Sequence, residues 1–357
     1  MIKTLVVFFS VLFIAFLIIF DKSAPLSFKN NPLVLKPTSE KEENKNTLLK
    51  KSIFVPYWAL GDSQDIDKYN ELIYFGIKPD EDSINNNDEG FRQLAQFDSI
   101  VHKDQKKFLT LRMLDSKNNF TILADERKQK RIIDETITIA KKHNFHGIIL
   151  DLELSALPFQ SVLNQINSFT KTFSTESKKN TLAFGMTLYG DTFYRIRPFD
   201  VKNIAQSVDF VMIMAYDLHK AGGNPGPNFP LSGKEVYGYD YSGLVDNFSS
   251  EVPKEKIIVI FGMFGYDWTV DEKNISQQIA KPRSYLDITN SIVNKCAILK
   301  CKISRDTLSG ETKIQYTAED NSKHVVWYED MKSTTEKQQY LQKKGISNFS
   351  YWAYSYF

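Results

Sequence analysis

The stretch His146-Gly147-Ile148-Ile149-Leu150-Asp151-Leu152-Glu153 decides how this chain is read. An apolar run of strand length ends in two acids placed two residues apart. Alternation along a strand puts Gly147, Ile149, Asp151 and Glu153 on one face and Ile148, Leu150 and Leu152 on the other. Same-face neighbours stand roughly 7 Å apart, so two carboxylates so placed affect each other's ionisation. A buried strand gains no stability from adjacent acids, which cost free energy wherever they lose water. Chemistry is one reason to keep such a pair; a strand end emerging into solvent is the other.

Further apolar runs of similar length fall at residues 53–58, 72–77, 108–113, 182–188, 208–214, 257–263 and 347–353, giving eight with the stretch above. Residues 126–143 and 160–173 carry apolar side chains at helical spacing between such runs. Eight strands with helical connections predict an α/β fold, a (β/α)8 TIM barrel, over residues 52–357. The gap between the seventh and eighth runs is too long for one helix. A small α+β insertion is therefore expected at about 270–325, with strands at 312–317 and 324–328. An open doubly wound sheet would call for a glycine-rich phosphate turn after an early strand, and the sequence has none. In such barrels the C-terminal strand ends carry the active site. Asp151 and Glu153, Met214, Tyr216 and Asp217, Trp352, and Tyr57 with Trp58 all fall at or just beyond such ends.

Composition narrows the class. Of 357 residues, 42% are hydrophobic and 25% charged, which suits a globular chain with a substantial core. The net charge of +2 gives no reason to expect a nucleic-acid partner. An aromatic share of 13% suits a groove that stacks against sugar rings as well as it suits a core. Residues 4–20 are almost wholly apolar and follow the basic Lys3. They are read as a transmembrane signal anchor within residues 1–21, with a flexible tether at 22–51 and the barrel outside the cell membrane. A cleaved secretory signal is the alternative. Cys296 and Cys301 could form a local disulfide or remain two free thiols. His143 and His146 precede the strand that ends in the two acids, so they sit at its opposite end and no metal site is expected. No cofactor is expected, and a monomer is.

The segment His146–Glu153 resembles the Asp-Gly-x-Asp-x-Asp-x-Glu pattern of glycoside hydrolase family 18, the chitinase-like family, with His146 and Ile149 replacing its first two acids. Met214-Ala215-Tyr216-Asp217 is similar to the family's Met-x-Tyr-Asp element, and Ser350-Tyr351-Trp352 falls where the family places a floor tryptophan. His324-Val325-Val326-Trp327-Tyr328-Glu329-Asp330, followed by Ser333 and Lys337, resembles a bacterial spore and cell-wall branch. The resemblance covers about residues 52–357. It implies hydrolysis of β-1,4 links in an N-acetylglucosamine-containing glycan, with peptidoglycan favoured over chitin, assisted by the substrate's own acetamido group. On that reading Glu153 is the proton donor, Asp151 orients the acetamido group and raises the pKa of Glu153, and Tyr216 bonds the acetamido carbonyl. Asp217, Met214, Trp352, Tyr57 and Trp58 would then contact the sugar. Ile149 leaves Asp151 without its usual carboxyl partner, so its rotamer and protonation are expected to depend on Glu153 and substrate. A non-catalytic, lectin-like member is the alternative.

Overall fold

The computed structural model describes residues 51–61 and 66–357. The expected anchor at 1–21 and all but the last residue of the tether at 22–51 lie outside the described residues. Among the described residues, no helix is long and apolar enough to cross a membrane.

Seven parallel strands run in chain order from β1 (Lys51–Pro56) through β2 (Glu71–Ile77), β3 (Lys106–Met113), β4 (Gly147–Leu152), β5 (Ala183–Tyr189) and β6 (Phe210–Ala215) to β7 (Ile257–Gly262). Five further strands follow outside the barrel: β8 (Phe264–Val270), β9 (Lys281–Ser284), β10 (Lys302–Arg305), β11 (Thr312–Thr317) and β12 (Lys323–Tyr328). The last strand, β13 (Asn348–Trp352), pairs in parallel with both β7 and β1 and closes an eight-stranded barrel. The expected barrel is therefore present, with each strand close to its predicted run. The first run ends earlier than expected: Pro56 closes β1, and Tyr57–Ala59 form one 3₁₀ turn. Proline has no N–H with which to continue a ladder.

Two apolar layers hold the wall. Inward-facing Phe54, Ile73, Phe108, Ile149, Met212 and Ile260 pack inside the barrel. Outward-facing residues such as Ile148, Leu150 and Leu152 pack under the surrounding helices. The helix Glu126–Lys142 has Asp125 at its N-cap, accepting from the Arg127 and Lys128 amides, and buries Ile132, Ile133, Ile137 and Ala140 at helical spacing. The helix Gln160–Lys179 runs well past the predicted end at 173. Its last buried residues are Ser174 and Ser177, and an apolar pattern cannot register small polar side chains turned toward the core.

The insertion is an antiparallel sheet in the order β10-β11-β12-β8-β9. It begins at Phe264 and ends at Tyr328, wider than the expected 270–325, because β8 follows β7 after the single residue Met263. Both strands expected within it are present. A helical turn beside β10 carries Cys296, disulfide-bonded to Cys301 with Cα atoms 5.0 Å apart.

Candidate active site

β4 carries Asp151 at the C-terminal mouth of the barrel and Glu153 one residue beyond its end. The Glu153 amide donates to Met113 O at 2.8 Å, and Asn119 Nδ2 donates to Glu153 O at 2.9 Å. These bonds continue the strand's alternation, so Ile149, Asp151 and Glu153 point inward as expected. Asp151 is 4% exposed and Glu153 half-buried.

A cavity of about 310 Å³ opens here, lined by Asp151, Glu153, Met214, Tyr216, Asp217, Trp352 and Trp58 among the anticipated residues. Tyr57 does not line it; its ring packs edge-on to Trp58 at 4.9 Å and lies 4.8 Å from the Arg112 guanidinium. Trp352 adds an apolar face to the lining, with its ring 4.7 Å from Phe75 and 5.6 Å from Phe54, and the Trp352–Ala353 peptide is cis. The volume lies at the small end of the ~300–1,000 Å³ range of ligand sites, and the lining mixes aromatic faces with convergent polar groups.

Burial pushes the pKa values of both acids up. Desolvation is the main cause for Asp151, with the charge of Glu153 adding to it, and together they bring it to about 7. Glu153 is raised by desolvation and by Asp217, against the Tyr189 hydrogen bond and the charges of Lys220 and Arg197. Near neutrality the pair therefore titrates as a unit that readily keeps a proton. Burial, with Asp151, Asp217 and Glu153 nearby, raises the Tyr216 phenol well above its ordinary range, so it remains a hydrogen-bond donor. Asp217 adopts a left-handed backbone (φ 61°), which aspartate tolerates better than most residues. Its amide donates to Asn228 Oδ1 at 2.8 Å, and its carboxylate accepts from Tyr266 Oη at 2.7 Å.

Several site groups were not anticipated. Thr187 Oγ1 donates to Asp151 Oδ1, and Tyr189 Oη donates to Glu153 Oε2 at 3.1 Å. The first bond corrects the expectation that Glu153 and substrate would mainly fix Asp151, because β5 supplies a hydroxyl partner. Arg197 lies 3.9 Å from the centre of the Tyr189 ring and is itself held by Asp191 through Nη2 at 2.7 Å. Lys220 also lines the cavity, and β8 adds Phe264. Register could have revealed Thr187 and Tyr189, since Gly147 pairs with Ala183 and the same offset of 36 residues carries Asp151 to Thr187 and Glu153 to Tyr189.

The class so defined is a (β/α)8 barrel whose C-terminal mouth holds a buried aspartate, a half-buried glutamate and a tryptophan lining one cavity. The chain belongs to glycosyl hydrolases family 18, whose sequence pattern it matches over residues 10–356. Among its relatives, the uncharacterized glycosylase YvbX of Bacillus subtilis is 26% identical over 65% of this chain and 64% of its own length. The cortical fragment-lytic enzyme of Bacillus subtilis is 23% identical over 65% of this chain and 51% of its own. The match thus spans only about half to two-thirds of these relatives. The crystal structure of the Bacillus cereus spore cortex-lytic enzyme SleL shares the fold at a TM-score of 0.71 and 21% identity, covering 86% of this chain and 71% of that one.

Proposed function

We propose that the protein is a retaining glycoside hydrolase that cleaves β-1,4 links in N-acetylglucosamine-containing cell-wall glycan with help from the substrate's acetamido group. The observation carrying this reading is the pair Asp151 and Glu153, both with pKa values raised by desolvation, lining one cavity with Tyr216 and Trp352. Both acids project from one strand and one side, so they are poorly placed to straddle a scissile bond as donor and nucleophile. Substrate assistance removes the need for a second carboxylate across the bond.

In the first step Glu153 gives its proton to the glycosidic oxygen as the C1–O bond breaks. The acetamido carbonyl oxygen bonds to C1 and forms an oxazolinium ion. Asp151, ionised, stabilises the positive acetamido nitrogen, and the Tyr216 hydroxyl steadies the carbonyl. In the second step Glu153 takes a proton from water as that water attacks C1, and the acetamido group is released with net retention. Cell-wall glycan is favoured over chitin by the relatives named as cortical fragment-lytic enzymes.

The alternative, a binding protein that keeps the cleft without competent chemistry, rests on Ile149 in place of the family acid. Matched oligosaccharides with and without the acetyl group on the sugar preceding the cleaved bond test the mechanism. The full chain should cut only the acetylated compound. Comparable cleavage of the deacetylated one would remove the acetamido group from the mechanism.

A further inference from the structure

The resemblance drawn from the sequence implies a carboxylate two residues before Asp151 on the same strand. Here Ile149 occupies that place, 1% exposed and packed into the barrel interior. The neighbouring strand offers something different. On β5, Thr187 is 3% exposed and donates to Asp151, and Tyr189, two residues on, donates to Glu153 at 3.1 Å. The register of β4 on β5 sets each hydroxyl beside its acid. Thr187 has one other bond, a long one to Leu150 O at 3.5 Å, so Asp151 is its principal acceptor. The Tyr189 ring is fixed in turn by Arg197, which Asp191 clamps.

Building on the hydrolase reading, we propose that Thr187 and Tyr189 are the positioning residues of the reacting pair, replacing the missing along-strand carboxylate with two cross-strand hydroxyl donors. Each donor favours the ionised form of its own acid. Thr187 draws the shared proton away from Asp151 and toward Glu153, the distribution needed for the first step. Tyr189 steadies the Glu153 carboxylate, the form that must accept a proton from water in the second step. The two hydroxyls thus balance the proton between the acids, a task a single neighbouring carboxylate performs differently because it carries a charge and a titration of its own. The other charged and titratable groups facing the pair are Arg112 toward Asp151, Asp217, Lys220 and Arg197 toward Glu153, and the Tyr216 phenol toward both. All of them remain in the variants below.

The test is the pH profile of kcat/KM for the full chain, its Thr187→Val and Tyr189→Phe variants, and the double variant. Losing a donor to a carboxylate makes that acid hold its proton more tightly. Each single variant should therefore move the profile upward, by up to about one pH unit, as expected for loss of one charge-assisted bond. Because the limbs belong to the coupled pair, the two variants should differ in which limb moves more, and the double variant should raise both fully. Thr187→Ser, which keeps the hydroxyl, should restore the parent profile and controls for misfolding. Carboxyl titration followed by difference infrared spectroscopy reads the same displacements without requiring turnover. A purely structural role would lower kcat and leave both limbs and the infrared titration unmoved, overturning the assignment. An inactive parent whose carboxyl titration still shifts in both variants would defeat the hydrolase reading and leave the hydroxyl pairing standing.

Discussion

Putting the family's acid back at Ile149 looks like a repair, yet the surroundings argue against it. The side chain is 1% exposed and shares the barrel interior with Phe108, Met212 and Ile260. A carboxylate there would lose its water among apolar groups, and its one acidic neighbour along the strand, Asp151, already bonds Thr187. Ile149→Asp should lower unfolding stability by about 3 kcal/mol or more, the scale associated with an uncompensated buried charge, and should not raise activity. Urea unfolding and rate measurements together check this; a variant as stable as the parent and faster would show that the barrel had not repacked around isoleucine. Residue types were legible in the sequence where one strand held the whole pattern. Asp151 and Glu153 could be placed on one inward face because alternation is local. Thr187 and Tyr189 were not legible, because their partnership depends on how strands far apart in sequence align.

The resemblance of Glu329, Asp330, Ser333 and Lys337 to a bacterial branch said nothing of their task, which the packing of the insertion against the barrel explains. Asp330 caps the helix Met331–Lys343 in a reciprocal box with Ser333. One turn later Lys337 is wholly buried and bonds Glu311 at 2.8 Å and also Glu329. Glu311, just before β11, accepts from the amides of Asn228 at 2.6 Å and Phe229 at 2.8 Å. Asn228 in turn holds the Asp217 amide, so the buried triad ties helix, insertion and the loop after β6 to the site. Lys337→Met should cost about 3–5 kcal/mol, since it leaves two buried acids facing each other. The sign of its pH dependence follows from Glu329, which burial and Glu311 push up to about 7 against the pull of Lys337. A folded pKa above the unfolded one means that the ionised acid weakens the fold as pH rises through that interval. Losing Lys337 raises the Glu329 pKa further, so the variant's deficit should grow as pH rises through about 7 and be smaller at about pH 5, where Glu329 carries a proton in both proteins. Urea unfolding at the two values checks it, and a loss below 1 kcal/mol at both would show that the triad is dispensable.

At the scale of the molecule, counting strand-length runs was enough to find the barrel, because a closed parallel sheet buries nearly continuous apolar segments in every strand. The insertion was legible as a spacing too long for one helix. Its first strand was not, since Phe264–Val270 follows β7 after Met263 alone and extends the same apolar run. That strand matters most to the site: Phe264 lines the cavity and Tyr266 holds Asp217. Barrel and insertion thus converge on one mouth, where Glu153 is assigned the transferable proton. Glu153→Gln preserves size and removes that proton, so it tests the whole assembly most directly. The measurement is release of reducing ends from purified peptidoglycan by the full chain and this variant, with glycan binding followed in parallel. Hydrolysis should fall by about 10² to 10⁴ while binding stays near that of the parent. Equal hydrolysis by the two proteins would contradict the assignment of Glu153, and binding by both with hydrolysis by neither would make the protein a glycan-binding member of its family.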